Sequence, residues 1–161
     1  MRRVNADSGC YARLMAELDD KTLNGFVDVC RDALASLATS PGSMFNCFPV
    51  AACGPASELI GRALKERFGV ESVHACGVGH PDLPERQTHA WVETGTVIID
   101  VTYDQFAGTG LQGWVFPLDS PWHRQFEDVD RRDGFCMPSG WPMYPHDGYE
   151  TMRRALGPVP Q

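Results

Sequence analysis

Residues 88–100 read THAWVETGTVIID, two runs of apolar and β-branched residues on either side of the polar sequence ETGT. Such runs around a short turn predict a β-hairpin, because glycine easily adopts the backbone angles that tight turns require. With Thr94-Gly95 as a two-residue loop, the register places His89 directly opposite Asp100. The stretch therefore predicts two antiparallel strands with a histidine and an aspartate paired near their open end.

The predicted pair of His89 and Asp100 has a chemical meaning. Residues directly opposed in antiparallel strands point to one face with Cβ atoms about 4.5–5.5 Å apart. A carboxylate at that separation can accept a hydrogen bond from one ring nitrogen, which fixes the tautomer and leaves the other nitrogen to serve a nucleophile. A one-residue slip of the turn would put the pair on a diagonal or on opposite faces, with Asp104 as the rival carboxylate. A purely local ion pair is the structural alternative.

Cys53, in AACGPASELI, supplies the nucleophile that this pair lacks. The apolar stripe after residue 54 predicts a helix that begins just after Cys53 and ends at Gly69, a typical C-cap. Pro55 fits the first turn of such a helix. Amide groups and the macrodipole at a helix start favour a thiolate, and the same amides could hold a developing oxyanion. Alternatively, Cys53 is a small core residue.

The order of the remaining elements predicts an α+β fold in a single domain, residues 1–161. Apolar residues recur at helical intervals between residues 11 and 37, with a break near residues 19–21, which predicts two helices or one bent helix. Helices first and adjacent strands later favour an antiparallel sheet.

Three parts of the chain are distinguished by sequence. They are an N-terminal helical part (residues 8–38), a catalytic core (residues 45–106) and an irregular, aromatic-rich C-terminal part (residues 107–161). Further predicted elements are strands at residues 72–79, 113–118 and 125–129 and a short helix at residues 149–156. The aromatic residues Trp114, Trp122, Trp141 and Tyr144 either wall a substrate cleft or simply pack the tail.

Three motifs carry a resemblance to a known family. The sequences FPVAACGPASELIGRAL, THAWVE and IIDVTYDQF resemble a bacterial group of transglutaminase-like proteins, within the larger class of papain-like cysteine enzymes. The resemblance covers about residues 48–106. It implies a papain-like fold in which a nucleophile-bearing helix packs on an antiparallel sheet. It also implies a Cys-His-Asp triad with Cys53 as nucleophile, His89 as base and Asp100 as the orienting acid.

The resemblance implies acyl transfer from an amide or ester carbonyl through a thioacyl intermediate. Hydrolysis, deamidation and transfer to an amine are the possible outcomes, on a peptide, protein or small-molecule substrate. Alternatives are an effector that deamidates or cross-links glutamine of one protein partner, and a binding module that retains the fold without catalysis. The side-chain oxyanion donor common before the cysteine in papain-like enzymes is absent, because that position is Cys47. Asn46 and Gln105 are the candidate substitutes.

Composition excludes several other classes of function. A formal charge of −7 argues against binding to nucleic acid, which requires clustered lysine and arginine. No long apolar run or signal peptide is evident, so we expect no membrane partner and a cytoplasmic location, or non-classical export if the chain is an effector.

We expect neither cofactor nor metal, the alternative being a zinc hydrolase with Cys53, His89 and Asp100 as ligands. The oligomeric state is left open.

The six cysteines are expected to be reduced. They are scattered through apolar segments, where buried free thiols are common, and none forms a Cys-x-x-Cys pair. Cys47 is either a core thiol or a regulatory partner of Cys53.

Overall fold

The computed structural model describes residues 18–133 and 144–159, and in these residues the chain has the predicted α+β architecture. The helices are α1 (Asp20–Ala35), α2 (Cys53–Phe68) and α3 (His146–Leu156). The strands are β1 (Val73–Val78), β2 (Thr88–Glu93), β3 (Val97–Ile99), β4 (Val115–Pro117) and β5 (Asp128–Asp133). Two short 3-10 helices are η1 (Tyr103–Gln105) and η2 (His123–Gln125).

Local sequence explains where the first two helices begin and end. The carboxylate of Asp19 caps α1 by accepting a hydrogen bond from the backbone N–H of Thr22 at 2.8 Å, so the predicted break near residues 19–21 is the start of a helix. Predicted helix before residue 18 lies outside the described residues. Helix α2 starts at Cys53 and ends at Phe68, and the φ of 66° at the next residue, Gly69, confirms the predicted C-cap.

The five strands form one antiparallel sheet in the order β4-β3-β2-β1-β5. The strands predicted at residues 72–79 and 113–118 correspond to β1 and β4, and the predicted C-terminal helix corresponds to α3. The strand predicted at residues 125–129 was misplaced, because β5 starts at Asp128 and Gln125 belongs to η2. Strands β4 and β5, both from the C-terminal part, form the two edges of the sheet.

The hairpin of β2 and β3 forms, but its predicted register is wrong. Val92 pairs with Ile99, and the backbone N–H of Thr94 donates to the carbonyl of Val97 at 2.9 Å, so the two loop residues are Gly95 and Thr96. The hydroxyl of Thr94 accepts hydrogen bonds from the N–H groups of Thr96 and Val97 at 3.3 and 3.1 Å. This side-chain closure moves the turn one residue towards the C-terminus.

The sheet is covered on both faces. Val92 and Ile99 belong to the core that the helices bury on one face, where α2 packs directly on β2 and β1. On the other face, Ala75, Trp91 and Ile98 are covered by aromatic residues of the segment between β3 and β5. We call the parts of this segment on either side of β4, residues 100–114 and 118–127, the loop layer. Among the described residues, no helix combines the length and apolar character needed to cross a bilayer.

Candidate active site

Cys53 is the first residue of α2 and its side chain is partly exposed. The N-cap residue, Ala52, has no side-chain acceptor for the first-turn amides, which leaves them free of a capping side chain. Two residues before the cysteine, Ala51 has a φ of 58°, a left-handed conformation that is costly for a residue with a Cβ atom. The chain therefore turns sharply into the helix and presents the thiol at its N-terminal end.

His89 and Asp100 are hydrogen-bonded, with 2.7 Å between Nε2 of the imidazole and Oδ2 of the carboxylate. Both side chains are fully buried. The observed register places the two residues on a diagonal, which still joins side chains on one face of the sheet. Asp100 lies just beyond β3, where its backbone N–H donates to the carbonyl of Trp114 at 3.0 Å.

The thiol of Cys53 interacts with the imidazole of His89, which lowers the pKa of the thiol. Because Nε2 of His89 bonds Asp100, Nδ1 is the ring nitrogen that remains available to the thiol. Burial alone would raise the pKa of Cys53, but the hydrogen bond and charge of His89, with backbone N–H groups of Ala90 and Gly54, lower it below its ordinary value. The thiolate is therefore favoured at Cys53.

The pKa values of His89 and Asp100 are shifted in opposite directions. Burial alone would lower the pKa of His89, yet the charge and hydrogen bond of Asp100 outweigh it and raise that pKa to about 9, with a further contribution from Cys53. Burial would raise the pKa of Asp100, but the charge of His89 and hydrogen bonds from His123 and His89 hold it well below its usual range. These pKa shifts together favour the charged forms of the three groups: thiolate, imidazolium and carboxylate.

His123 is a site residue that the sequence did not indicate. Its Nε2 lies 3.1 Å from the same Oδ2 atom of Asp100, and its Nδ1 lies 2.8 Å from the hydroxyl of Ser120. His123 opens η2 in the loop layer, and strand pairing rules relate only neighbouring strands. No spacing signal links residue 123 to residue 100, so only the folded chain brings them together.

Aromatic rings surround His89. Phe106 and Trp122 meet its ring edge to face, with centroids 5.1 and 5.7 Å away, and Phe126 stacks on it at 6.4 Å. Gly77, directly opposite His89 on β1, allows this arrangement, because a Cβ there would lie 2.5 Å from the Phe126 ring. The imidazole is therefore fixed in a water-poor environment that strengthens its electrostatic interactions.

The predicted aromatic residues have different positions. Trp122 lies beside His89, whereas Tyr144 is buried in the helical core and Trp114 stacks under the guanidinium of Arg31 at 3.9 Å. Trp141 lies outside the described residues. Only Trp122 of the described three contacts the histidine, so the aromatic residues are mainly packing residues.

Asp104, the rival carboxylate, is directed elsewhere. It forms an ion pair with Arg31 of α1, and the same guanidinium also lies over the Phe48 ring at 5.3 Å. The chain leaves the strand after Ile99 and enters η1, so the strand geometry that made Asp104 a rival does not apply.

Gln105 lies beside the catalytic candidates, whereas Asn46 is exposed in the loop before α2. The carboxamide nitrogen of Gln105 donates to the carbonyl of Thr102 at 2.9 Å and lies 3.5 Å from Nδ1 of His89. Gln105 belongs to η1, the short helix that follows β3. Gln105 therefore lies beside the ring nitrogen of His89 that does not bond Asp100.

The cysteines in the described residues are free thiols: Cys30 is buried, Cys47 is exposed, and Cys53 and Cys76 are partly exposed. Cys10 and Cys136 lie outside the described residues. Cys47 is thus neither a buried core thiol nor bonded to Cys53. Within residues 18–133 and 144–159, no group of three histidine, cysteine or acidic side chains is arranged to hold a metal ion.

Comparison of the chain with models of protein families, with curated proteins and with solved structures found no match.

Proposed function

We propose that the protein is a cysteine-dependent acyl-transfer enzyme with Cys53 as nucleophile, His89 as base and Asp100 as orienting acid. One observation carries the proposal: a buried histidine bonds a buried carboxylate through Nε2 at 2.7 Å and lowers the pKa of a thiol at a helix start. Each contact favours the charged form needed for nucleophilic attack.

The reaction proceeds in two steps. Nδ1 of His89 takes the proton of the thiol, and the sulfur of Cys53 attacks the carbonyl carbon of an amide or ester. The bond to the leaving group breaks, and the imidazolium returns its proton to the departing amine or alcohol. Water or an amine then attacks the thioester while giving a proton to His89. The carbon–sulfur bond breaks, and the thiolate and imidazolium are restored.

The layout of the elements supports a transglutaminase-like or papain-like assignment. In such enzymes the nucleophile opens a helix that packs on an antiparallel sheet, and neighbouring strands supply the histidine and the acid. Here α2 packs on β2, and the residues in question are at the start of β2 and just after β3. The uncapped first-turn amides of α2 are the backbone donors available to an oxyanion.

Selective alkylation tests the proposed nucleophile. The protein is treated with limiting iodoacetamide at pH 6.5, and each cysteine is quantified by mass spectrometry. We expect Cys53 to be labelled well ahead of Cys47, although Cys47 is more exposed, because the imidazole of His89 lowers the pKa of Cys53. Equal labelling of the two thiols would refute the proposal.

An activity measurement complements the labelling. A panel of activated esters and glutamine-containing peptides is assayed for thioester formation on Cys53 by intact mass. The Cys53→Ala protein should form no adduct, and Cys47→Ala should behave as the wild type. Full turnover by Cys53→Ala on any substrate found would remove Cys53 from the mechanism.

A further inference from the structure

We propose that His123 is a positioning residue for the triad, which holds the Asp100 carboxylate in the orientation that His89 requires. This inference rests on the proposed function and assigns a role to a residue outside the Cys-His-Asp set. Its basis is the set of hydrogen bonds that Asp100 accepts in a fully buried site.

Within the described parts of the chain, both carboxylate oxygens of Asp100 accept hydrogen bonds. Oδ2 accepts from Nε2 of His89 at 2.7 Å and from Nε2 of His123 at 3.1 Å. Oδ1 accepts from the backbone N–H of Thr102 at 3.1 Å, with its hydroxyl at 3.4 Å. A carboxylate with donors on both oxygens cannot rotate without breaking charge-assisted hydrogen bonds.

His123 is itself fixed in one orientation. Because the carboxylate of Asp100 can only accept, Nε2 of His123 carries the proton, and Nδ1 pairs with the Ser120 hydroxyl at 2.8 Å. The ring is buried and packs against Trp91, Phe116 and Trp122, with centroids 5.1–5.4 Å away. The imidazole therefore acts as a rigid donor rather than as a mobile proton carrier.

Other charged groups near His123 do not replace it as a donor to Asp100. With His123, the side chains of Glu93, Arg124, Glu127 and Arg131 line a cavity of about 310 Å³. Glu93 and Arg131 form a bidentate ion pair at 2.8 and 3.0 Å. Asp100 and His89 are the titratable groups on the triad side, and the variants below leave all of these groups in place.

Loss of the hydrogen bond from His123 to Asp100 should raise the pH at which Cys53 reacts. A carboxylate that is free to turn stabilises the His89 imidazolium less, so the thiolate of Cys53 forms at higher pH. We expect His123→Phe to move the midpoint of Cys53 alkylation by iodoacetamide upward by about one pH unit and to slow it about tenfold at pH 6.5. His123→Gln, whose carboxamide can donate to Oδ2, should stay close to the wild type.

Two controls separate positioning from folding. Labelling of buried Cys30 in the same samples reports unfolding, because that thiol is enclosed in the helical core. Where His123→Phe exposes Cys30, Ser120→Ala replaces it as the test, since it removes only the bond that orients the His123 ring. Ser120→Ala should shift the midpoint upward by a smaller amount, and no shift would overturn the proposal.

Asp100→Asn distinguishes the failure of this inference from failure of the proposed function. An upward shift with Asp100→Asn but none with a folded His123→Phe would overturn the role of His123 and leave the triad intact. A downward shift with His123→Phe would also overturn it, because His123 would then be a competitor of His89. Wild-type Cys53 no more reactive than Cys76 would reject the proposed function and with it the role of His123.

Discussion

At the scale of single residues, His89 determines what the site can do. Nε2 of the ring bonds Asp100, and the imidazole also lowers the pKa of Cys53, so the histidine connects the acid to the thiol. A buried imidazolium is costly unless a nearby charge compensates, and Asp100 provides that charge. The reactivity of Cys53 should therefore depend on a residue that it does not touch.

Asp100→Asn tests this dependence, with Asp104→Asn as the matched control. Asparagine lacks the charge that raises the pKa of His89, so we expect the midpoint of Cys53 alkylation to rise by at least about one pH unit. Asp104→Asn should leave the midpoint unchanged, because Asp104 pairs with Arg31. If only Asp104→Asn moved the midpoint of Cys53 alkylation, Asp104 and not Asp100 would be the acid of the proposed Cys-His-Asp triad.

A second prediction concerns stability and pH in Cys53→Ala, which leaves His89 paired with Asp100 alone. A histidine whose folded pKa lies above its unfolded value stabilises the fold fully below the unfolded pKa, about 6.5. That contribution disappears as pH rises towards the folded pKa, about 9 in the wild type and lower without the thiolate. We expect the free energy of unfolding to fall by about 1–2 kcal/mol between pH 6 and 9.

Urea unfolding at several pH values measures this change. In the wild type, the free energy of unfolding should depend less strongly on pH. Its Cys53 has a lowered pKa, which contributes stability that grows as pH rises towards the unfolded value and so offsets the loss from His89. The double variant Cys53→Ala/His89→Gln should also be flatter than Cys53→Ala. Parallel profiles for all three proteins would contradict the assigned pKa shifts.

The sequence predicted three of the site residues because local rules apply to them. A helix start identifies Cys53, and a short hairpin brings His89 and Asp100 to one face even when the turn moves by one residue. The wrong register changed a direct pair into a diagonal pair without changing the face. His123 was not predictable in this way, because it approaches Asp100 from the loop layer rather than from a paired strand.

At the scale of elements, Gly77 on β1 leaves the space that is needed beside His89 on β2. This glycine faces His89, and the ring of Phe126 occupies the space that a side chain would fill. Because β1 has no side chain at this position, the loop layer can pack over the imidazole. Glycine within a strand often marks such a close approach.

Gly77→Ala should reduce both stability and thiol reactivity. The new Cβ would lie 2.5–2.9 Å from three atoms of Phe126, so the ring must move away from His89. We expect a loss of about 1–3 kcal/mol in the free energy of unfolding, with slower alkylation of Cys53. The matched control is Gly25→Ala on the exposed face of α1, where nothing lies within 4 Å of the added methyl.

Gly25→Ala should stabilise the protein by up to about 1 kcal/mol, because alanine has a higher helix propensity than glycine. Urea unfolding and the labelling rate of Cys53 are measured for both variants. Stability and labelling unchanged by Gly77→Ala would mean that Phe126 is not held against the strand as described.

At the scale of the whole molecule, the site lies where separate layers meet. Cys53 comes from the helical layer, His89 from the sheet and His123 from the loop layer. The α+β class and antiparallel sheet were predictable from the order of apolar patterns. The path of the loop layer was not, because it depends on contacts between aromatic residues far apart in sequence, such as Trp122 and Phe106 at 6.1 Å.

Arg31 joins the helical layer to the loop layer and gives a prediction at this scale. Its guanidinium lies 3.9 Å from the Trp114 ring centroid and pairs with Asp104 of η1. A residue of α1 therefore holds two parts of the loop layer in place. A lysine keeps the charge but loses planar stacking. We expect Arg31→Lys to lower the free energy of unfolding by about 1 kcal/mol in urea titrations.

The same substitution separates the stability of the layers from the chemistry of the site. Because Arg31 contacts none of the three catalytic candidates, the pH midpoint of Cys53 alkylation should not move in Arg31→Lys. Arg153→Lys, in an exposed ion pair on α3, is the matched control and should change stability little. A shifted midpoint in Arg31→Lys with normal stability would contradict this. It would show that the ion pair between Arg31 and Asp104 affects the reactivity of Cys53, so that packing and reactivity are coupled across the layers.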